Sequence, residues 1–185
     1  MFCFAGTIVR RKGIELLINA FSELKEEKKE AKTGFMAKLI IIGDGDKTYM
    51  QELKELAGKT KSGKNIIFPG FVPKQKLCDY FSAVDVGVWP GNNSVIIMEA
   101  MACSLPIIMA DLQLSHLVSY NNGYKFPPDD LEALKNCMLK TLEGKALKEM
   151  GNNSRDAVVR HYSYKSIAKR FIEIAERARN KFHKI

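Results

Sequence analysis

The sequence predicts an α/β fold: one doubly wound parallel sheet of about six strands, with helices on both faces. Three observations lead there. Short β-type runs alternate with amphipathic helical stretches along the whole chain, the pattern of successive βαβ units. The runs at Lys38–Ile42 and Leu105–Met109 are apolar without alternation, as strands covered on both faces must be. A length of 185 residues, 46% apolar and 27% charged, suits one domain with a sizeable core.

The elements follow in order. Phe2-Cys-Phe-Ala5 is the first strand, and Ile14–Lys29 a helix with Leu16, Leu17, Ala20, Phe21 and Leu24 on one stripe. Polar residues 26–34 form the helix end and a surface loop. Lys38–Ile42 is a strand closed by Gly43-Asp-Gly45, and Tyr49–Ala57 is helical. Asn65–Phe68, Asp85–Trp89, Leu105–Met109 and Gly123–Phe126 are strands; Lys74–Ala83 and Ser94–Cys103 are helices. Further helices begin near Asp129, Gly144 and Ser163, the last running over 163–183. Right-handed crossovers then give a single Rossmann-like unit over 1–185. Ligands of such sheets bind beyond the carboxyl ends of the strands, so the loops of interest are 5–13, 43–47, 69–74, 90–95 and 110–116.

Composition removes several function classes. The apolar start at Met1–Val9 is too short to span a bilayer, and its charges follow the apolar run instead of preceding it as in a secretory signal. Cys3, Cys78, Cys103 and Cys137 lie far apart with no Cys-x-x-Cys pair. They are expected to be small buried hydrophobes in a reducing, cytoplasmic compartment, where Asn92 and Asn152 stay unglycosylated. His116, His161 and His183 show no ligand spacing, so no metal site is expected. The formal charge is +8, and residues 160–185 carry eight basic side chains against two acidic ones. A basic tail can meet nucleic acid, a membrane surface or a protein. Its apolar stripe (Ile167, Phe171, Ile174, Ala178, Phe182) and its lack of aromatic-basic interleaving speak against nucleic acid.

Four motifs carry chemistry or imitate it. Gly6-Thr-Ile-Val-Arg-Arg-Lys-Gly13 places backbone amides and a cation ahead of a helix, which suits phosphate. Taken alone, the plainer reading of that loop is a solvated charge cluster. Gly43-Asp-Gly45 begins like a dinucleotide fingerprint, but Thr48 stands where the third glycine belongs. A tight turn that can still touch a ligand is the safer reading. Gly58-Lys-Thr-Lys-Ser-Gly-Lys-Asn65 nearly spells a P-loop, yet Asn65 replaces the magnesium-binding hydroxyl and the segment precedes a strand. Finally, Glu99 is the one acid of an otherwise apolar helix. A buried carboxylate must be paired or hydrogen-bonded. A structural ion pair would do, and so would a ligand diol such as a ribose; the ligand reading is favoured.

Six collinear segments together resemble the retaining, GT-B-fold glycosyltransferases known as glycosyl transferases group 1. They are Phe4–Gly13, Leu39–Gly45, Ile67–Val72, Asp85–Pro90, Glu99–Ile108 and Gly123–Asp129. The resemblance implies a nucleotide-sugar donor site that needs no metal or other cofactor. It places Gly6, Thr7 and Lys12 at the diphosphate, with Lys12 as the catalytic cation facing the leaving group. Amides of Ser94, Val95 and Ile96 reach the same phosphates, with Asn93 beside them at the donor; Phe71 and Val72 meet the base, and Glu99 holds the ribose hydroxyls. Gly43, Gly45 and Gly91 line the remainder. Two positions depart from the family pattern: Thr7 stands where an arginine is common, and Gly91 where a first glutamate precedes Glu99 by eight residues. A variant donor site is expected.

The resemblance further implies that the chain is the C-terminal, donor-binding half, with the acceptor-binding N-terminal half absent and the isolated half inactive. A glycan or lipid-linked acceptor would reach it through that other half, as in polysaccharide biosynthesis. The final helix would brace the missing half or approach the inner face of a membrane. The alternative is a non-catalytic nucleotide-binding or interaction module on the same fold.

Overall fold

Successive residues of a parallel strand point to opposite faces of the sheet, and both faces here are covered. A computed structural model describes residues 1–30, 37–92, 94–143 and 146–182. Its strands are β1 (Phe2–Ala5), β2 (Leu39–Ile42), β3 (Ile66–Gly70), β4 (Val86–Trp89), β5 (Ile107–Ala110) and β6 (Gly123–Phe126). All pairings are parallel, in the order β3-β2-β1-β4-β5-β6. Every residue of β1, β4 and β5 is buried.

The helices are α1 (Ile14–Glu30), α2 (Lys47–Lys59), α3 (Lys74–Ser82), α4 (Ile96–Ala102), α5 (Leu131–Glu143), α6 (Leu147–Ala157) and α7 (Tyr164–Phe182). On one face α1 packs against α2 and α5; α4 meets α3 and α6. Of the expected stripe of α1, Leu17, Ala20, Phe21 and Leu24 are fully buried and Leu16 is half-buried, while Ile14 and Ile18 join the packed face. Each large member contributes about 1.5–3 kcal/mol by leaving water.

The boundaries shift for local reasons. Helix α2 starts before Tyr49 because the Asp46 carboxylate accepts from the Tyr49 amide (3.0 Å) and caps it. Strand β5 starts at Ile107 because the Leu105 amide turns back to Ala100 O and Pro106 has no N–H. Strand β3 runs through Pro69, which a sheet edge tolerates. Helix α4 is shorter than expected, opening at Ile96 and ending at Ala102. The expected helix start at Gly144, most of the loop at 26–34 and the tail beyond Phe182 lie outside the described residues.

The strand order reverses between β1 and β4, which opens a crevice at their carboxyl ends. The floor is held by Trp89, whose buried indole Nε1 donates to Ala5 O at 3.0 Å. Gly87 makes room for it: a Cβ there would sit 2.4 Å from the Trp89 ring. A π-helical turn, Val158–Tyr162, leads into α7. The apolar stripe of α7 is exposed, with Ile167 at 51%, Phe171 at 74% and Ile174 at 59%. No helix among the described residues is long and apolar enough to cross a membrane.

Candidate nucleotide-sugar site

Glycines let the loops at the crevice lie against each other. The Gly6 and Ile8 amides donate to Ile42 O (3.0 Å) and Asp44 O (2.9 Å), stitching the loop after β1 to the loop after β2. A Cβ on Gly43 would lie 1.9 Å from Gly6 O, and one on Gly45 1.9 Å from Ile8 O. The Gly-Asp-Gly turn is therefore a device for close approach of two backbones, not a dinucleotide fingerprint.

The loop after β1 winds into a short 3-10 turn, Arg10–Lys12, ended by Gly13 in the left-handed region (φ 66°). On this turn rests the loop after β4. The Asn92 amide donates to Arg11 O (2.8 Å), and the Lys12 ammonium donates to Asn92 O (2.5 Å). Lys12 is only 6% exposed. Burial, with the neighbouring Arg11 charge, lowers its pKa below the ordinary lysine value. A cation held in this state gains from any anion that comes near it.

Arg10 is used otherwise. Its guanidinium bonds Glu52 (2.5 Å), approaches Glu15 (3.5 Å) and lies over the Tyr49 ring at 4.7 Å. It is committed to α1 and α2 and does not substitute for the family arginine at Thr7.

Two adjoining hollows occupy the carboxyl edge. The first, about 470 Å³, is lined by Gly6, Thr7, Ile42, Gly43, Asp44, Phe71, Val72, Leu77, Ser94, Val95 and Ile96. Eight residues expected at the donor converge there from four loops. The second is an apolar groove of about 410 Å³ between α3, α4 and the start of α7, and it contains Glu99. Leu77 and Val95 form the wall between the two.

The expected set is thus divided. Lys12, Gly45 and Gly91 line neither hollow among the described residues, and Asn93 lies outside those residues. Glu99 is not fully buried: its side chain is 33% exposed, and Oε1 accepts from the Lys74 ammonium at 2.7 Å. That hydrogen bond and charge hold the Lys74 pKa above its ordinary value. The ion pair weighed against a ligand for Glu99 is present, at the edge of the site.

Gly91 also receives a physical explanation. A Cβ there would sit 2.4 Å from Arg11 O and 2.5 Å from the Lys12 carbonyl carbon. The loop lies too close to the Arg10–Lys12 turn to carry any side chain at 91.

Ile42, Asp44 and Leu77 line the first hollow and Lys74 the second, though none was among the expected donor contacts. Lys74 and Glu99 are 25 residues apart on separate helices, so no local spacing announces their meeting. The cysteine expectation needs correction as well. Cys3 and Cys137 are buried, but Cys78 is exposed, and its Sγ lies 3.1 Å from that of Cys103.

This arrangement has relatives. The sequence pattern described as Glycosyl transferases group 1 matches residues 1–144. An uncharacterised glycosyltransferase of Methanocaldococcus jannaschii is 26% identical over 96% of this chain and 45% of its own length. The sucrose-phosphate synthase structure from Thermosynechococcus elongatus superposes with TM-score 0.79 at 25% identity, covering 100% of this chain and 46% of that one. The Anabaena HepE structure in complex with UDP superposes with TM-score 0.79 at 19% identity, over 95% of this chain and 48% of that one. The chain thus spans about half the length of the proteins it matches, with the architecture of one Rossmann-like unit of a GT-B glycosyltransferase. With the family pattern running through β1–β6 and the loops that meet at the crevice, the chain belongs to the group 1 glycosyltransferases.

Proposed function

We propose that this chain is the donor-binding half of a retaining glycosyltransferase, which takes a sugar from a nucleoside-diphosphate sugar and passes it to an acceptor hydroxyl. The observation that carries the reading is the convergence of Gly6, Thr7, Gly43, Phe71, Val72 and Ser94–Ile96 on one hollow at the strand-order reversal. Its volume of about 470 Å³ is of the size that small-molecule sites occupy. The apolar edge at Phe71, Val72 and Ile42 suits a base, and the amides at Ser94–Ile96 suit phosphate oxygens. Lys12 would turn from Asn92 O to the departing diphosphate, whose negative charge grows as the glycosidic bond breaks. Lysine and amides then do what a divalent cation does in other transferases, so EDTA should leave donor binding unchanged. Ribose hydroxyls would displace the Lys74 ammonium from Glu99.

An acceptor-binding half would complete the enzyme. The exposed stripe of α7 suits packing on that half or on an anionic membrane face near lipid-linked glycans. The test is calorimetric titration of the chain with UDP, GDP and ADP and their sugars, repeated on Glu99→Gln. Loss of about 1.5–3 kcal/mol of binding is expected for that variant, the worth of hydrogen bonds to a charged group. An unchanged Glu99→Gln affinity would refute the assignment.

The second reading, a nucleotide-binding module without transfer, draws on Gly91. A carboxylate cannot stand there without moving the Lys12 backbone. Turnover after joining the chain to an acceptor half, with donor affinity intact, separates the two.

A further inference from the structure

Helices α3 and α4 face each other across two rungs. Lys74 and Cys78 lie four residues apart on α3; Glu99 and Cys103 lie four apart at the end of α4. Residues at that spacing share one helix face, a turn apart. The first rung is the Lys74–Glu99 ion pair at 2.7 Å, and the second is the Cys78–Cys103 thiol contact at 3.1 Å.

We propose that Cys78 and Cys103 form a reversible dithiol–disulfide site, whose co-reactant is a low-molecular-weight disulfide, and that closing it weakens donor binding by holding Lys74 on Glu99. The disulfide site stands on its own geometry; the effect on binding rests on the donor reading above.

The sulfurs need to approach by only about 1 Å to reach a disulfide bond length of about 2.0 Å. Their supports differ. Cys103 is fixed: its amide donates to Glu99 O (3.2 Å) and Ala100 O (3.0 Å). Arg155 of α6 donates to Ala102 O at 2.7 Å. Gly151 of α6 packs on Ser104, where a Cβ would meet Ser104 O at 2.2 Å. Cys78 is the exposed partner, on the helix that carries Lys74. Burial, and contact with Cys78, push the Cys103 thiol up to about 12, which leaves Cys78 as the first sulfur to react.

The steps balance. The Cys78 thiolate attacks one sulfur of the small disulfide, forming a mixed disulfide and releasing one small thiolate. The Cys103 sulfur, giving up its proton as it attacks, then displaces the second small thiol from Cys78. Two protein thiols are oxidised to one disulfide, one small disulfide is reduced to two thiols, and the two thiol protons end on those products. Excess dithiol reverses the exchange. Because α4 is held by α6, the new bond ties α3 to α4 and keeps the first rung, already at 2.7 Å, from opening, so a ribose diol must compete with a more firmly held ammonium.

The experiment treats the reduced chain with oxidised glutathione, maps its peptides and titrates UDP before and after. Expected are loss of two thiols per chain, a linked pair of peptides bearing Cys78 and Cys103, recovery on adding dithiothreitol, and UDP affinity about fivefold lower in the oxidised form, the low end of site-to-site couplings. Cys78→Ser should form no link, and its affinity should not respond to oxidant. Lys74→Met should form the link but lose the affinity difference. Glutathione left on Cys78 alone, or links only between chains, overturns the site. A Cys78–Cys103 link with equal affinities in both forms overturns the coupling. Reduced chain that binds none of UDP, GDP or ADP overturns the donor reading and with it the coupling, while the peptide map still decides the thiol site.

Discussion

Gly91→Ala tests how closely the loop after β4 is seated on the Arg10–Lys12 turn. The added Cβ meets Arg11 O at 2.4 Å, the Lys12 carbonyl carbon at 2.5 Å and Lys12 Cα at 2.7 Å. All three are backbone atoms, so no rotamer change relieves the overlap. The loop can lift, but lifting breaks the Asn92–Arg11 bond at 2.8 Å and the Lys12–Asn92 bond at 2.5 Å. Those two are worth about 1 kcal/mol and about 1.5–3 kcal/mol respectively. Staying in place costs about 1–3 kcal/mol of overpacking. The chain takes the cheaper route, so about 2 kcal/mol is expected. At about 2–4 °C per kcal/mol for a domain of this size, Tm falls by about 4–8 °C. Thermal melting followed by circular dichroism measures it. Gly91→Glu should fall at least as far and gain no donor affinity, because its carboxylate begins with the same Cβ. A Tm equal to the parent's in Gly91→Ala would refute the account of the loop, and with it the reason given for the missing glutamate.

Lys12→Met keeps the buried stem and loses the Asn92 bond while removing a desolvated charge, two opposed effects, so stability near neutrality should change little while UDP binding weakens by about 10- to 100-fold, the loss of one charged contact. The same residue sets a pH dependence. Its folded pKa lies below the ordinary 10.5, so the unfolded chain binds the proton more tightly. The cost of burying the charge is full below the folded pKa and fades as pH rises toward 10.5. Urea unfolding should therefore show a rise in stability over that window that Lys12→Met lacks. Thr7→Arg, at an exposed position lining the hollow, should tighten UDP binding about tenfold by adding a phosphate contact; weaker binding counts against phosphate lying there. Trp89→Phe leaves Ala5 O without its partner and should cost about 1–3 kcal/mol in urea midpoint experiments.

What the sequence disclosed follows from the range of the forces involved. The stripe of α1 is a periodic signal and the apolar run of β2 an unbroken one, each contained within one element, and both were legible. The loops of the site were legible because strand order alone places them at one edge. Their division of labour was not. Whether glycine serves a ligand or a neighbouring backbone depends on what lies opposite, and Gly43, Gly45 and Gly91 face backbones far along the chain. Lys74 with Glu99 and Cys78 with Cys103 are legible only as a repeated spacing of four on two helices whose facing the sequence does not declare. The π-helical turn before α7 also carries no spacing signal, since its five residues continue the helical pattern of α6.

The two sides of the crevice differ in how they can change. Around β1, β2 and β4 the loops touch backbone to backbone, and such contacts admit no small adjustment: a methyl group either fits or moves a strand end. On the other side, α3 meets α4 through an exposed ion pair and a thiol contact, both of which break without disturbing the core. Substitutions at Gly43, Gly45 and Gly91 should therefore register first in stability and only through it in donor affinity. Substitutions at Lys74 and Thr7 should change affinity with little change in Tm. If the measured effects sort the other way, the rigid and adjustable sides have been exchanged.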